Sequence, residues 1–262
     1  MYEELLENIA QKNGLREVNT YLKLVTGLGG IILCLVATSY IAPLFIAIIL
    51  TSAIILLARI DWRTYGELFI VPFSFAGMSI AVIILVTGGN DVIWQWNPLP
   101  LLSLSITKES INEGVFVFCR VVGGMAALIF ISLTTPMTDL FIAMRQCRIP
   151  SAVLDLTMIL YRSIFIIMDH LVQTYHAQLM RLGYTSFSES IRSFATLSGS
   201  TFIASWEAGE DLIQAMNARC YTGKFAILGE PHPIQLFALL AVLSFLGVSS
   251  IIVVLTQNIA LI

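Results

Sequence analysis

The sequence predicts an all-α, polytopic membrane protein with about five transmembrane helices and a cytoplasmic block of long amphipathic helices. Three observations carry this expectation. Hydrophobic residues make up 57% of the chain and charged residues 12%, against about 25% charged in soluble domains. Apolar stretches approaching the roughly 20 residues that cross a bilayer core recur along the chain. Between residues 135 and 233 that pattern breaks, and charges interrupt the hydrophobic runs every few positions. The organisation therefore reads as a four-span membrane region (1–134), a cytoplasmic helical block (135–233) and a final span (234–262), with the lipid bilayer as first partner.

The polar N-terminus, MYEELLENIAQKNGLREVNTYLK, lacks the basic start and apolar core of a cleaved signal peptide and is expected to stay on the protein. The spans follow as Leu24 to Ile41, Leu44 to Ala58, Leu68 to Thr87, Val115 to Leu133 and Ile234 to Leu255. Pro43 is expected to separate the first two by a tight reversal, because proline cannot continue the helix ladder. An inside N-terminus places 12 of the 14 Lys and Arg residues on the inner side and only Lys108 outside, so the N-terminus is predicted cytoplasmic and the C-terminus outside. Trp94 and Trp96, in the long outer loop, suit aromatic rings at the interface.

Gly27, Gly29 and Gly30 in the first span, and Gly123, Gly124, Ala126 and Ala127 in the fourth, allow close helix approach. They fit packing among the chain's own helices or a docking face for another membrane protein. Arg120, the one basic residue within a span, fits snorkelling to the interface or a substrate role.

In the polar block, Thr135 and Pro136 are expected to cap and start a short helix to about Cys147, with Asp139 in its first turn and Arg145 and Arg148 at its end. Apolar residues at helical spacing then predict a helix from Ser151 to about Leu182. Its polar residues Asp155, Arg162, Asp169 and His176 recur every seven positions and share a stripe, which suits a helix lining a partner or the inner interface. Ser186 with Glu189 is a capping-box signal for a second long helix, Phe187 to Ala218. Each long helix runs into an arginine segment, AQLMRLGY at Ala177 to Tyr184 and AMNARCYTG at Ala215 to Gly223. Both place an arginine near a helix C-terminus, where cations are favoured, with the chain then turning at a glycine.

No catalytic constellation emerges. Cys34, Cys119, Cys147 and Cys220 are scattered, without CxxC or histidine at ligand spacing. His170 and His176 are six apart, off the spacing for a shared metal, and His232 sits between prolines in a loop. There is no phosphate-binding GxxxxGK[ST] loop and no Lys/Arg cluster for nucleic acid. The chain is expected to bind no cofactor or metal of its own and to catalyse nothing.

At the arginine segments the chain resembles the transmembrane T component of energy-coupling-factor transporters, most closely the cobalt-type CbiQ family, whose members carry two Ala-Arg-Gly-type motifs. The first corresponds to MRLGY, Met180 to Tyr184, with Leu182 between Arg181 and Gly183. The second is AMNARCYTG, in which Ala218 and Arg219 match and Cys220 stands at the family's glycine. SLTTP at Ser132 to Pro136, the Arg-Ile-Pro step at Arg148 to Pro150, and the Tyr161, Arg162 pair appear in the family's order. The EAA loop of ordinary ABC importers is not found.

The resemblance implies a non-catalytic coupling subunit of an ATP-driven importer in the cell's inner membrane. It links a substrate-binding S component to two cytoplasmic ATP-binding subunits, which hold the ATP and Mg. Arg181, Gly183, Ala218, Arg219 and Cys220 would meet the ATPases, with Arg162 and Asp169 positioning the helices. Likeness to cobalt-type members implies cobalt or nickel as substrate, carried by the S component. A membrane scaffold and a stand-alone permease are the alternatives.

Overall fold

The computed structural model describes residues 7, 9–86, 92–99, 102–147, 149–221 and 233–256. Arg148, Gly223 and His232, discussed above from the sequence, lie outside them. The helices are α1 (Thr20–Val36), α2 (Ile41–Ser52), α3 (Trp62–Val86), α4 (Lys108–Thr134), α5 (Met137–Gln146), α6 (Ser151–Met180), α7 (Phe187–Ala218) and α8 (Leu236–Leu255). This is an all-α polytopic membrane fold with one addition, a β-hairpin of β1 (Val92–Leu99) and β2 (Leu102–Thr107) where a plain outer loop was expected. The run LSLSIT alternates apolar and polar residues with the period of a strand, which accounts for the difference. Trp94 and Trp96 fall in β1, and their side chains lie outside the described part of the structure.

Among the described residues, four helices are long and apolar enough to cross a membrane, at Trp62–Ile84, Lys108–Thr134, Ser151–Met180 and Leu236–Leu255. At the expected spans Leu24 to Ile41 and Leu44 to Ala58 the helices are shorter, Thr20–Val36 and Ile41–Leu57, the latter being α2 continued by a π-helical turn, Ala53–Leu57; the first is 17 residues, about 26 Å of helix. Helix α6, expected within the inner block, is one of the long apolar helices. Cα proximity divides the chain into two compact units, Met1–Ala143 with Glu230–Ile262, and Met144–Gly229.

In the first unit α4 is the hub, packing against α1, α2 and α3. Its core joins Cys34, Ile46, Leu50, Ile54, Ala127, Phe130 and Leu133. Small residues set the spacing. A Cβ on Gly27 would lie 2.2 Å from Ile131 Cγ1, and one on Gly123 would lie 2.7 Å from both Cys34 Sγ and the Pro43 carbonyl oxygen. Gly29 faces Leu246 of α8 in the same manner, at 2.7 Å. These glycines pack the chain's own helices, whereas Gly124 faces open space.

Two expected helix boundaries move. The reversal between the first two helices occupies residues 37–40, and Pro43 lies inside the first turn of α2. A proline is accommodated there because the first-turn N–H groups have no intrahelical partner. Thr135 is the C-cap of α4, its N–H bonded to Ile131 O, and its hydroxyl finds no partner among the described residues. The first turn of α5 closes instead on the Pro136 carbonyl, reached by the N–H groups of Asp139 (3.1 Å) and Leu140 (3.2 Å).

The end of α4, within SLTTP, is clamped from the N-terminal segment. Asn13 Nδ2 donates to the carbonyls of Leu133 (3.0 Å) and Thr134 (3.2 Å), and Lys23 Nζ donates to Thr134 O at 3.0 Å. These are orphan carbonyls at the negative end of the helix dipole, so an amide and an ammonium are the fitting partners. Lys23 is only 2% exposed, with the Asp139 carboxylate as its opposing charge. Arg120 acts similarly elsewhere: Nη2 donates to the Ala37 carbonyl past the end of α1 at 2.7 Å, and the guanidinium lies 4.4 Å from the Phe116 ring centre. Its charge is therefore held in packing between α4 and α1.

A hydrogen bond from a charged donor contributes about 1.5–3 kcal/mol. Lys23→Met is accordingly expected to lower the thermal unfolding midpoint of the detergent-purified chain markedly, with Lys23→Arg recovering part of the loss. An unchanged midpoint for Lys23→Met would contradict the clamp.

Candidate functional site, a pair of arginine helix caps

The second unit contains the two long helices, and the sequence places both their ends. Helix α7 begins where Ser186 accepts the Glu189 N–H at 3.3 Å. The reciprocal half of the capping box differs from expectation, since the Glu189 carboxylate takes the Thr185 hydroxyl. Helix α6 stops at Met180, two residues before the expected end at Leu182, because Leu182 adopts a left-handed backbone with φ 57°.

The helix ends are near copies. Arg181 caps α6 with φ −93° and ψ 14°, and Arg219 caps α7 with φ −95° and ψ 14°. After Arg181, the Leu182 N–H bonds Leu179 O and the Gly183 N–H bonds Gln178 O, both at 3.0 Å. After Arg219, the Cys220 N–H bonds Asn217 O at 3.1 Å and the Tyr221 N–H bonds Met216 O at 3.0 Å. Each is a Schellman motif, in which a left-handed residue folds the chain back so that its N–H and the next one satisfy carbonyls of the last turn. The arginine precedes the left-handed residue in both, and both arginines are exposed.

The expectation that the chain turns at a glycine is corrected here. Leu182 in the first motif and Cys220 in the second hold the positive φ, at 57° and 56°. Gly183 is one place further on and serves another need: a Cβ there would lie 2.8 Å from Ser193 Oγ and 3.1 Å from Gln178 O. Ser193 donates to the Gly183 carbonyl at 2.6 Å, and Tyr184 OH donates to Gln178 Oε1 at 2.8 Å. Sequence reasoning missed Ser193, whose significance appears only once α7 folds against the turn.

Arg181 lies just before the start of α7 and Arg219 just after its end. A helix of 32 residues is about 48 Å long, so the two cationic caps sit at opposite ends of one rod. Ala218 is the last residue of α7, exposed beside Arg219. Arg162 and Arg219 line a common groove between α6 and α7, with Met158, Ile166, Asp211 and Ala215. Asp169 is exposed and does not line that groove, while Asp155, on the same stripe, is buried. His170 is half-buried and His176 exposed beside Tyr175. Among the described residues, no group of three or more His, Cys, Asp or Glu side chains is placed to hold a metal ion.

The long apolar helices define a multi-pass helical membrane protein. The chain belongs to the CbiQ family of cobalt transport proteins, whose family model matches residues 11–228. It is 35% identical over 245 residues to a putative fused cobalt transport protein CbiMQ of Methanocorpusculum labreanum, covering 94% of this chain and 41% of that one. It thus spans about two fifths of that relative's length. An uncharacterized protein of Methanocaldococcus jannaschii is 30% identical over 228 residues, covering 87% of this chain and 84% of its own. The energy-coupling factor transporter transmembrane protein EcfT of Limosilactobacillus fermentum is 24% identical over 218 residues, covering 79% of each chain.

An L-residue in the left-handed region costs about 1–2 kcal/mol, which glycine avoids. Leu182→Gly and Cys220→Gly are each expected to raise the unfolding midpoint slightly and to be tolerated in transport. A severe loss of uptake in Cys220→Gly would give the thiol a role beyond the cap.

Proposed function

We propose that this chain is the transmembrane coupling component of an energy-coupling-factor importer, joining two cytoplasmic ATP-binding subunits to a substrate-binding S component. The observation that carries the reading is the pair of matched, exposed arginine caps at the two ends of α7. Two copies of one cationic feature, about 48 Å apart along a 32-residue helix, suit two copies of one partner. A guanidinium at a helix end offers a planar fork to a carboxylate, and the following tight turn keeps the chain clear of a docking groove.

Arg181 and Arg219 would each pair with acidic groups of one ATP-binding subunit, with Ala218 small enough to let the helix end seat closely. Gly183 and Cys220 shape the turns, while Arg162 and Asp169 position α6. ATP and Mg would be held by the partner subunits. As those subunits close on ATP, force applied at the caps would pass along α6 and α7 to the S component. The relatives' names favour cobalt as the transported ion, with nickel the chemically nearest alternative, bound by the S component. The distribution of Lys and Arg favours an inner-membrane orientation with the N-terminus cytoplasmic.

Breaking an interfacial charged pair costs about 2–5 kcal/mol, or roughly thirtyfold or more in affinity. The double charge reversal Arg181→Glu with Arg219→Glu is expected to abolish recruitment of the ATP-binding subunits and metal uptake while the chain still inserts into the membrane. Each single reversal should weaken recruitment partially. Normal co-purification and normal uptake by the double variant would sink the proposal.

A further inference from the structure

We propose that Ser193 is a positioning residue for Arg181, latching the turn between α6 and α7 so that the Arg181 cap moves as one body with α7. This purpose rests on the coupling role proposed above; the latch itself does not.

Four other hydroxyls of α7 turn back to a carbonyl of the preceding helical turn. Ser190 donates to Ser186 O, Thr196 to Arg192 O, Ser198 to Phe194 O and Ser205 to Thr201 O, each four residues back. That is the ordinary resting place of a hydroxyl within a helix. Ser193, in the same helix, leaves this pattern and reaches the Gly183 carbonyl at 2.6 Å. The contact requires glycine on the other side, because a Cβ at 183 would lie 2.8 Å from that hydroxyl.

The turn is also tied back to α6. The Gly183 N–H bonds Gln178 O at 3.0 Å, Tyr184 OH bonds the Gln178 side chain at 2.8 Å, and the Tyr184 ring lies 5.2 Å from that of Tyr175. Arg181 is thereby fixed to α6 by backbone continuity and to α7 through Gly183 and Ser193. Arg219 belongs to α7 by covalent continuity. Helix α7 therefore carries both cationic caps, and a displacement at either end enters the same rod. Without the Ser193 contact, the Arg181 end could swing on the turn before any force reached α7.

The test uses the full chain in detergent and two readouts. Trypsin cleaves after both arginines, which makes Arg219 an internal reference for Arg181. Losing a hydrogen bond of ordinary strength should speed cleavage after Arg181 about fivefold in Ser193→Ala, with cleavage after Arg219 unchanged. Ser193→Thr, which keeps the hydroxyl, should behave as the native chain, and Gly183→Ala should behave as Ser193→Ala. Equal rates in Ser193→Ala and the native chain, or equal acceleration at both arginines, would overturn the latch.

The second readout is affinity for the purified ATP-binding subunits of the same transporter. Ser193→Ala should weaken it about threefold or more, yet add nothing in an Arg181→Ala background. Native affinity in Ser193→Ala would overturn the positioning role even if cleavage showed the latch. Native affinity in Arg181→Ala would overturn the coupling reading and the positioning role together, while the cleavage arm would still decide the latch.

Discussion

A helix ends with carbonyls that have no partner in its own ladder, and away from water those groups must find donors elsewhere. Two groups of described helix ends answer this need differently. At α4 and α1 the donors are side chains from distant sequence: Asn13 and Lys23 cap α4, and Arg120 reaches the Ala37 carbonyl beyond α1. At α6 and α7 the backbone supplies them, through a left-handed residue after each arginine. The first solution binds segments together, and the second leaves the arginine side chains free of capping duty.

The clamp on α4 matters because α4 organises the membrane unit. Its glycine and alanine face lets α1 and α2 approach until Ile131 fills the space above Gly27 and Cys34 that beside Gly123. Dispersion and close packing, rather than a hydrophobic difference from lipid, hold helices together in a bilayer, so lost contact surface is not easily replaced. Fixing the last turn of α4 also fixes where α5 begins, since the Pro136 carbonyl receives the first amides of α5.

The long helices serve a different purpose. A Schellman cap ends each helix abruptly and presents the preceding residue at the tip, and here that residue is arginine both times. Because α7 runs between the caps, the distance separating them is set by helix geometry rather than by loop conformation. The coupling role proposed above rests on this rod with its cationic tips. Exposed apolar side chains along it, including Phe194, Phe202 and Trp206, show that its sides can meet an apolar surface as well.

Much of this was legible in the residues. The Ser186 capping signal placed α7 at Phe187–Ala218, and the arginine segments fell at helix C-termini as their charge preferences require. Local rules succeed where the cause is local. They failed at Pro43, where a first-turn position removes the usual penalty, and at Thr135, whose hydroxyl takes no part in the cap. They also assigned the turn after Arg181 to Gly183, whereas Leu182 makes it and Gly183 answers to Ser193 ten residues on. The sequence by itself determined the membrane class, the helices and the pairing of the arginines, because composition, periodicity and charge act over a few residues. Only the tertiary structure decided which groups cap α4 and α1, and why residue 183 has no side chain, because those contacts join residues that no short-range pattern connects.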